Sequence, residues 1–75
     1  MPGYTNWYVT VLVEVAGKER AISGPSRSQQ ADAEQDLDQV REFLGSGTWI
    51  NLPWLSANPQ SVVAAYLDSK SFGFG

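Results

Sequence analysis

The sequence predicts a small α+β domain ordered strand, strand, helix, strand, strand, with one helix packed on a largely antiparallel sheet. Three observations carry that expectation. Residues 7 to 15 alternate between two sets, Trp7, Val9, Val11, Val13 and Val15 on one side and Tyr8, Thr10, Leu12 and Glu14 on the other. That period of two belongs to a strand with one fully apolar face. Ala33, Leu37, Val40 and Leu44 recur at i, i+4, i+7 and i+11, the spacing of one helix face. The chain has 75 residues, and at that length only about 60% of the surface exposed by the unfolded form is buried, so one domain with a thin core is expected.

Taken in order, residues 1–6 read as an N-terminal arm, 7–68 as the single domain and 69–75 as a C-terminal tail. Ala16-Gly17-Lys18 offers a residue free to take positive φ, and Glu19 to Ser23 resumes an extended pattern, so residues 7 to 23 form a β-hairpin. Gly24-Pro25 ends its second strand, because proline cannot donate to a ladder and restrains the residue before it. Ser26 and Gln29 have the spacing of a capping box, which starts the helix at residue 26, and Gly45 stands where a glycine stops one.

Thr48 to Leu52 alternates again and meets Pro53, which suits a short strand ending at a bend or lying at an edge. Ser56-Ala57-Asn58-Pro59 is a turn cluster. Val62 to Leu67 has the composition of a short helix or a fourth strand; two leading β-branched residues and a turn just before it favour the strand. One helix covers one face, leaving Tyr8, Thr10, Leu12 and either Trp49 with Asn51 or Ile50 with Leu52 on the other. In the tail, Phe72-Gly73-Phe74-Gly75 places both phenylalanines on one side if extended, which predicts docking as an added strand or arm, on its own sheet or on a neighbouring subunit, against the alternative of a frayed end.

Composition narrows the chemistry. With no cysteine and no histidine, disulfides, thiolate catalysis, the usual zinc sites and the commonest general base are removed. Eight acids against five bases give a formal charge of -3, so there is no overall basic field to draw phosphate or an anionic membrane. No apolar run approaches the ~20 residues of a membrane span. The first residues lack a basic region followed by an apolar one. A cytoplasmic protein is expected.

Candidate sites are few. Asp32, Glu34, Asp36 and Asp38 alternate along the helix, where spacing by two turns successive side chains roughly 200° apart, so they read as a solvated face near the positive end of the dipole. Gly45-Ser46-Gly47-Thr48 follows a helix, where carbonyls rather than N–H groups point outward, so it is a cap and not a phosphate loop. Ser26-Arg27-Ser28 is better placed for an anion, although capping accounts for both serines. No catalytic, cofactor or metal residue is assigned, and no enzyme activity is expected. Aromatic and arginine side chains dominate binding surfaces, and the binding candidates are Tyr8, Thr10, Arg20, Arg27, Trp49, Trp54, Phe72 and Phe74.

Trp7-Tyr8-Val9-Thr10-Val11, Gly24-Pro25-Ser26-Arg27, and Ala33 with Asp36-Leu37 together resemble the DNA-binding domains of the plant ethylene-response-factor (Apetala) type over residues 7–42. The resemblance implies DNA contacts through the sheet, with Arg20 and Arg27 the matching positions. That family has three strands before its helix and a basic balance, where this chain shows two strands and an acidic one. The function expected from the residues themselves is a small non-enzymatic binding or assembly module. It acts through an aromatic-rich sheet face or strand edge, with a second copy in a homodimer or another protein as partner. The alternative is a nucleic-acid-binding domain contacting through the N-terminal hairpin.

Overall fold

Residues 7 to 15 lie at the centre of the fold, because Val9, Val11 and Val13 of their apolar side are buried beneath the helix, while Val15 at its end is exposed. A computed structural model describes residues 3–73. In it β1 (Tyr4–Val15) is followed by β2 (Lys18–Ser23), α1 (Gln30–Ser46), β3 (Ile50–Leu52), β4 (Leu55–Ala57), a 3-10 turn at Pro59–Ser61, and β5 (Val62–Phe72). The first, second and fifth strands form an antiparallel sheet in the order β2-β1-β5, and β3 pairs with β4 as a separate two-stranded hairpin. The α+β class and the single helix on an antiparallel sheet are as the sequence predicts.

Alternation becomes burial on β1. Val9, Val11 and Val13 are buried and form one cluster with Leu37 and Val40 of α1 and with Ile50 and Leu55 of the small hairpin. Across the ladder Leu67, Ala65 and Val62 of β5 and Ile22 of β2 join from the same side. Leu12 pairs with Ala64 and Val13 with Val62, so Val63 is a bulged residue and its side chain stays exposed.

The β1–β2 turn has positive φ at both central positions, 55° at Ala16 and 79° at Gly17. This is the requirement of a type I′ hairpin, whose twist matches the strands. Gly17 meets it without strain, whereas Ala16 is held in a region that a Cβ disfavours.

Several boundaries differ from those the sequence suggests, each for a local reason. Trp7 and Arg27 exchange backbone hydrogen bonds, each N–H donating to the other's carbonyl at 2.7 Å. A residue committed to a ladder cannot also open a helix, so the Ser26–Gln29 capping box does not form. The helix starts at Gln30, after a Gln29 that makes no side-chain cap. At the other end the helix runs through Gly45 and stops at Gly47, whose φ of 69° is left-handed and whose N–H donates to the Leu44 carbonyl.

The strand expected over 48–52 is confined to Ile50–Leu52 and turns back at once through Pro53-Trp54. Leu55–Ala57 is therefore a strand, which takes in Ser56 and Ala57 of the expected turn cluster. The turn cluster contributes instead through Asn58, whose Oδ1 accepts from the Gln60 N–H at 3.0 Å. Trp49, Asn51, Ile50 and Leu52 consequently do not lie on the uncovered face of the main sheet. Residues 4–6, set apart as an arm, and 69–72, set apart as a tail, pair with each other at the end of the β1–β5 ladder. Phe72 docks as an added strand residue on its own sheet; Phe74 lies outside the described residues.

Three expected outcomes test this arrangement by thermal unfolding. Ala16→Asn, which tolerates the left-handed region, should raise stability by a few tenths to about 1 kcal/mol, while Gly17→Val should lower it more than Gly73→Val does. Leu37→Ala, at the buried centre of the helix stripe, should cost about 2–5 kcal/mol, a large part of the stability of a domain this small.

Candidate functional site

Directly paired residues of an antiparallel ladder share a face, so the register assigns each side chain. Opposite the helix lie Tyr4, Asn6, Tyr8, Thr10, Leu12 and Glu14 of β1. Beside them on β5 are Phe72, Lys70, Asp68, Tyr66 and Ala64, and on β2 are Ser23, Ala21 and Glu19. No second element covers this face among the described residues. Tyr4 is 54% exposed and Tyr66 43%, both unusually open for large apolar rings in a sheet.

At one end of the open face the Tyr4 and Phe72 rings stack at 4.9 Å between centroids with planes 20° apart. The Lys70 ammonium lies 5.4 Å from the Phe72 centroid, within cation–π range. One pair further along, Tyr8 faces Asp68. Partial burial first, then the negative charge and hydrogen-bond acceptance of Asp68, push the Tyr8 phenol above its ordinary pKa, so it remains a neutral donor. Thr10 occupies the same face but is only 5% exposed, flanked by Tyr66 and Ser23 across the two ladders. Of the binding candidates on this face it is the buried one.

The other sequence candidates fall elsewhere. Arg20 pairs with Val13 and so shares the helix side of the sheet, exposed at its margin. Trp49 is exposed beside the small hairpin, its indole N–H donating to Ser56 Oγ at 3.0 Å. Trp54, in the β3–β4 turn, packs partly against the core, and a Cβ on Gly24 would stand 3.3 Å from its ring. The fold thus brings Tyr8 and Phe72 together and separates both from Arg20, Arg27, Trp49 and Trp54. Tyr4, Tyr66, Asp68 and Lys70 are not among the candidates that the sequence offers; the signal for the last three is the alternation Ala64, Tyr66, Asp68, Lys70, Phe72, which continues the strand beyond Leu67.

A second feature lies on the helix side. Because Arg27 is bridged to Trp7, its side chain is directed toward α1, where Nε and Nη2 donate to the two Asp36 carboxylate oxygens at 2.9 and 3.1 Å. Asp36 is buried, in contrast to the solvated position expected from the acidic run, while Asp32, Glu34 and Asp38 are exposed. The hydrogen bond and charge of Asp36 raise the Arg27 pKa further. This ion pair forms part of the wall of an open cleft of about 630 Å³ that Gly24, Pro25, Gln39 and Trp54 also line. Each carboxylate oxygen accepts one of these hydrogen bonds, so Asp36 is charge-paired and Arg27 is held in one orientation by the pair. The pair ties the loop after β2 to the helix.

Removing Arg27 leaves a buried carboxylate without its partner. Arg27→Ala should therefore lower stability, chiefly through the orphaned Asp36, since the arginine itself is partly solvated. The double replacement Arg27→Met with Asp36→Leu should recover most of that loss, because two apolar side chains leave no charge unpaired. Chemical denaturation of the three proteins checks both statements.

No family model, curated protein or solved structure matches the chain.

Proposed function

We propose that this chain is a small non-enzymatic assembly module that associates through its three-stranded sheet. The observation that carries this reading is the uncovered sheet face, on which Tyr4, Tyr8, Leu12, Tyr66 and Phe72 stand together with no helix over them among the described residues. Clustered apolar side chains of this kind on one surface mark contact sites more often than chance exposure does.

The shape supports the same reading. The radius of gyration is 13.8 Å, against about 11 Å for a compact chain of this length. A domain with so few buried side chains gains proportionately more from association than a large one does. A binding role is favoured over catalysis because the buried carboxylate, Asp36, already has both oxygens engaged by Arg27, and the chain has neither histidine nor cysteine to supply a base or nucleophile.

Sedimentation equilibrium over a wide concentration range should give a mass that rises above 8.2 kDa as concentration increases. Tyr66→Asp, an exposed position on the open face, should weaken that association without lowering the melting temperature of the monomer. Trp49→Ser, exposed outside the sheet, should leave it unchanged. A single species of monomer mass throughout would overturn the self-associating form of this reading.

A further inference from the structure

The sheet order leaves β5 as an edge along its whole length, with β1 on one side and no strand on the other among the described residues. A long unpaired edge presents a row of N–H and C=O groups to any other strand. The bulge at Val63 interrupts its start, but beyond it the strand continues unbroken from Ala64 to Phe72.

Support for this edge is uneven. The ladder between β1 and β2 spans Thr10 to Val15, and Arg27 bridges Trp7, so Tyr4–Asn6 has β5 as its sole partner. Lys70–Phe72 and Tyr4–Asn6 are therefore a two-stranded ribbon projecting past the helix-covered core, in a molecule 44 Å long and 17 Å thick. Ribbons of two strands are marginal by themselves, and a third or fourth strand is what makes them stable.

Charge then selects how a second copy fits. Antiparallel pairing of β5 with itself about a two-fold axis normal to the sheet keeps the open faces on one side, and the axis must pass beside a residue that pairs with its own copy. An axis at Asp68 or at Lys70 sets like charges directly opposite, which is unfavourable. At Ser69 it sets Asp68 opposite the second copy's Lys70 twice over, and Tyr66 opposite the second copy's Phe72 twice over. The same axis lies at the root of the projecting ribbon, so Lys70–Phe72 of each copy lies against Asp68–Tyr66 of the other, and each marginal two-stranded ribbon gains strands that the second copy's core supports. At that point the Ser69 N–H donates to Oδ1 of its own neighbour Asp68 at 2.8 Å, a local substitute for a strand partner.

We propose that the free edge of β5 is a self-recognition site. Two copies of the chain pair antiparallel through Tyr66–Phe72, centred on Ser69, into a continuous six-stranded sheet with a doubled open face. This rests on the assembly role proposed above, takes the edge of the same sheet rather than its open face as the contact, and specifies the partner and register. On dimerisation the Asp68 carboxylate exchanges the Ser69 N–H for the partner lysine, and the Ser69 N–H becomes available to the partner strand. Pairing a single strand buries less than the roughly 1,200–2,000 Å² of a stable interface, so the dimer forms at high concentration and exchanges quickly.

Charge reversal on the full chain tests the register. Asp68→Lys gives two lysines along the contact and Lys70→Asp gives two aspartates, so each variant alone should dimerise at least tenfold more weakly than the parent, a penalty in keeping with juxtaposed like charges. An equimolar mixture of the two should form a heterodimer, and the double variant Asp68→Lys with Lys70→Asp should recover the parent's affinity. Sedimentation reads the masses, and native mass spectrometry identifies the mixed species, which misfolded variants would not produce. If the parent associates but the single reversals do not weaken it, or the mixture forms no heterodimer, this register is overturned while the assembly role stands. If the parent stays monomeric at every concentration, the self-associating form of the assembly role falls with it.

Discussion

One helix can cover one face of a three-stranded sheet, and the rest of this structure follows from that limit. Placed across Val9, Val11 and Val13, α1 builds a core with Leu37 and Val40, and the small hairpin closes it with Ile50 and Leu55. Among the described residues the opposite face has no such cover, so its side chains must be tolerable in water or be covered by another molecule. Tyrosine is well suited to that position, since its ring packs against neighbours while its hydroxyl remains hydrated. Tyr4, Tyr8 and Tyr66 all lie there, which is the basis for reading the sheet as a contact surface.

The same limit explains the loop between β2 and α1. After Gly24-Pro25 interrupts the strand, the chain returns to β1 for one residue pair at Trp7, and this directs Arg27 onto the helix. A carboxylate buried under the helix would be costly alone, and a guanidinium giving two parallel hydrogen bonds is the partner that best offsets it. The cleft beside the pair is thus a by-product of how the hairpin and loop are joined to α1. Its most conspicuous charged groups are used in holding the fold, which is why the open sheet rather than the cleft carries the functional reading.

The ends of the described chain are joined to each other rather than left apart. Tyr4 through Trp7 lie against Ser69 through Phe72, fixed by the stacked Tyr4–Phe72 rings and by a hydroxyl pair at Thr5 and Ser71. Long strands give this ribbon its reach, but neither β2 nor the helix extends far enough to support it. An edge that is extended, weakly covered and marked by one positive and one negative charge can discriminate between registers of self-pairing. A flat apolar edge would accept many and aggregate.

Local patterns were sufficient for much of this. The alternation from Trp7 to Val15, the glycine at position 17 and the helical stripe from Ala33 to Leu44 are each short-range consequences of backbone geometry, and they fix the hairpin, the helix and their buried sides. Where the residues took part in longer-range pairing, local reading stopped short. Ser26 and Gln29 have capping spacing, yet the bridge from Arg27 to Trp7 outweighs it. Ser69 to Phe72 is rich in polar residues and glycine follows it, yet β1 supplies a ladder that makes it a strand. Burial of Asp36 and of Thr10, exposure of Tyr66 and the free edge of β5 depend on which strands become neighbours. That order is a property of the whole sheet, set by contacts between residues as far apart as Tyr4 and Phe72, and only the tertiary structure decides it.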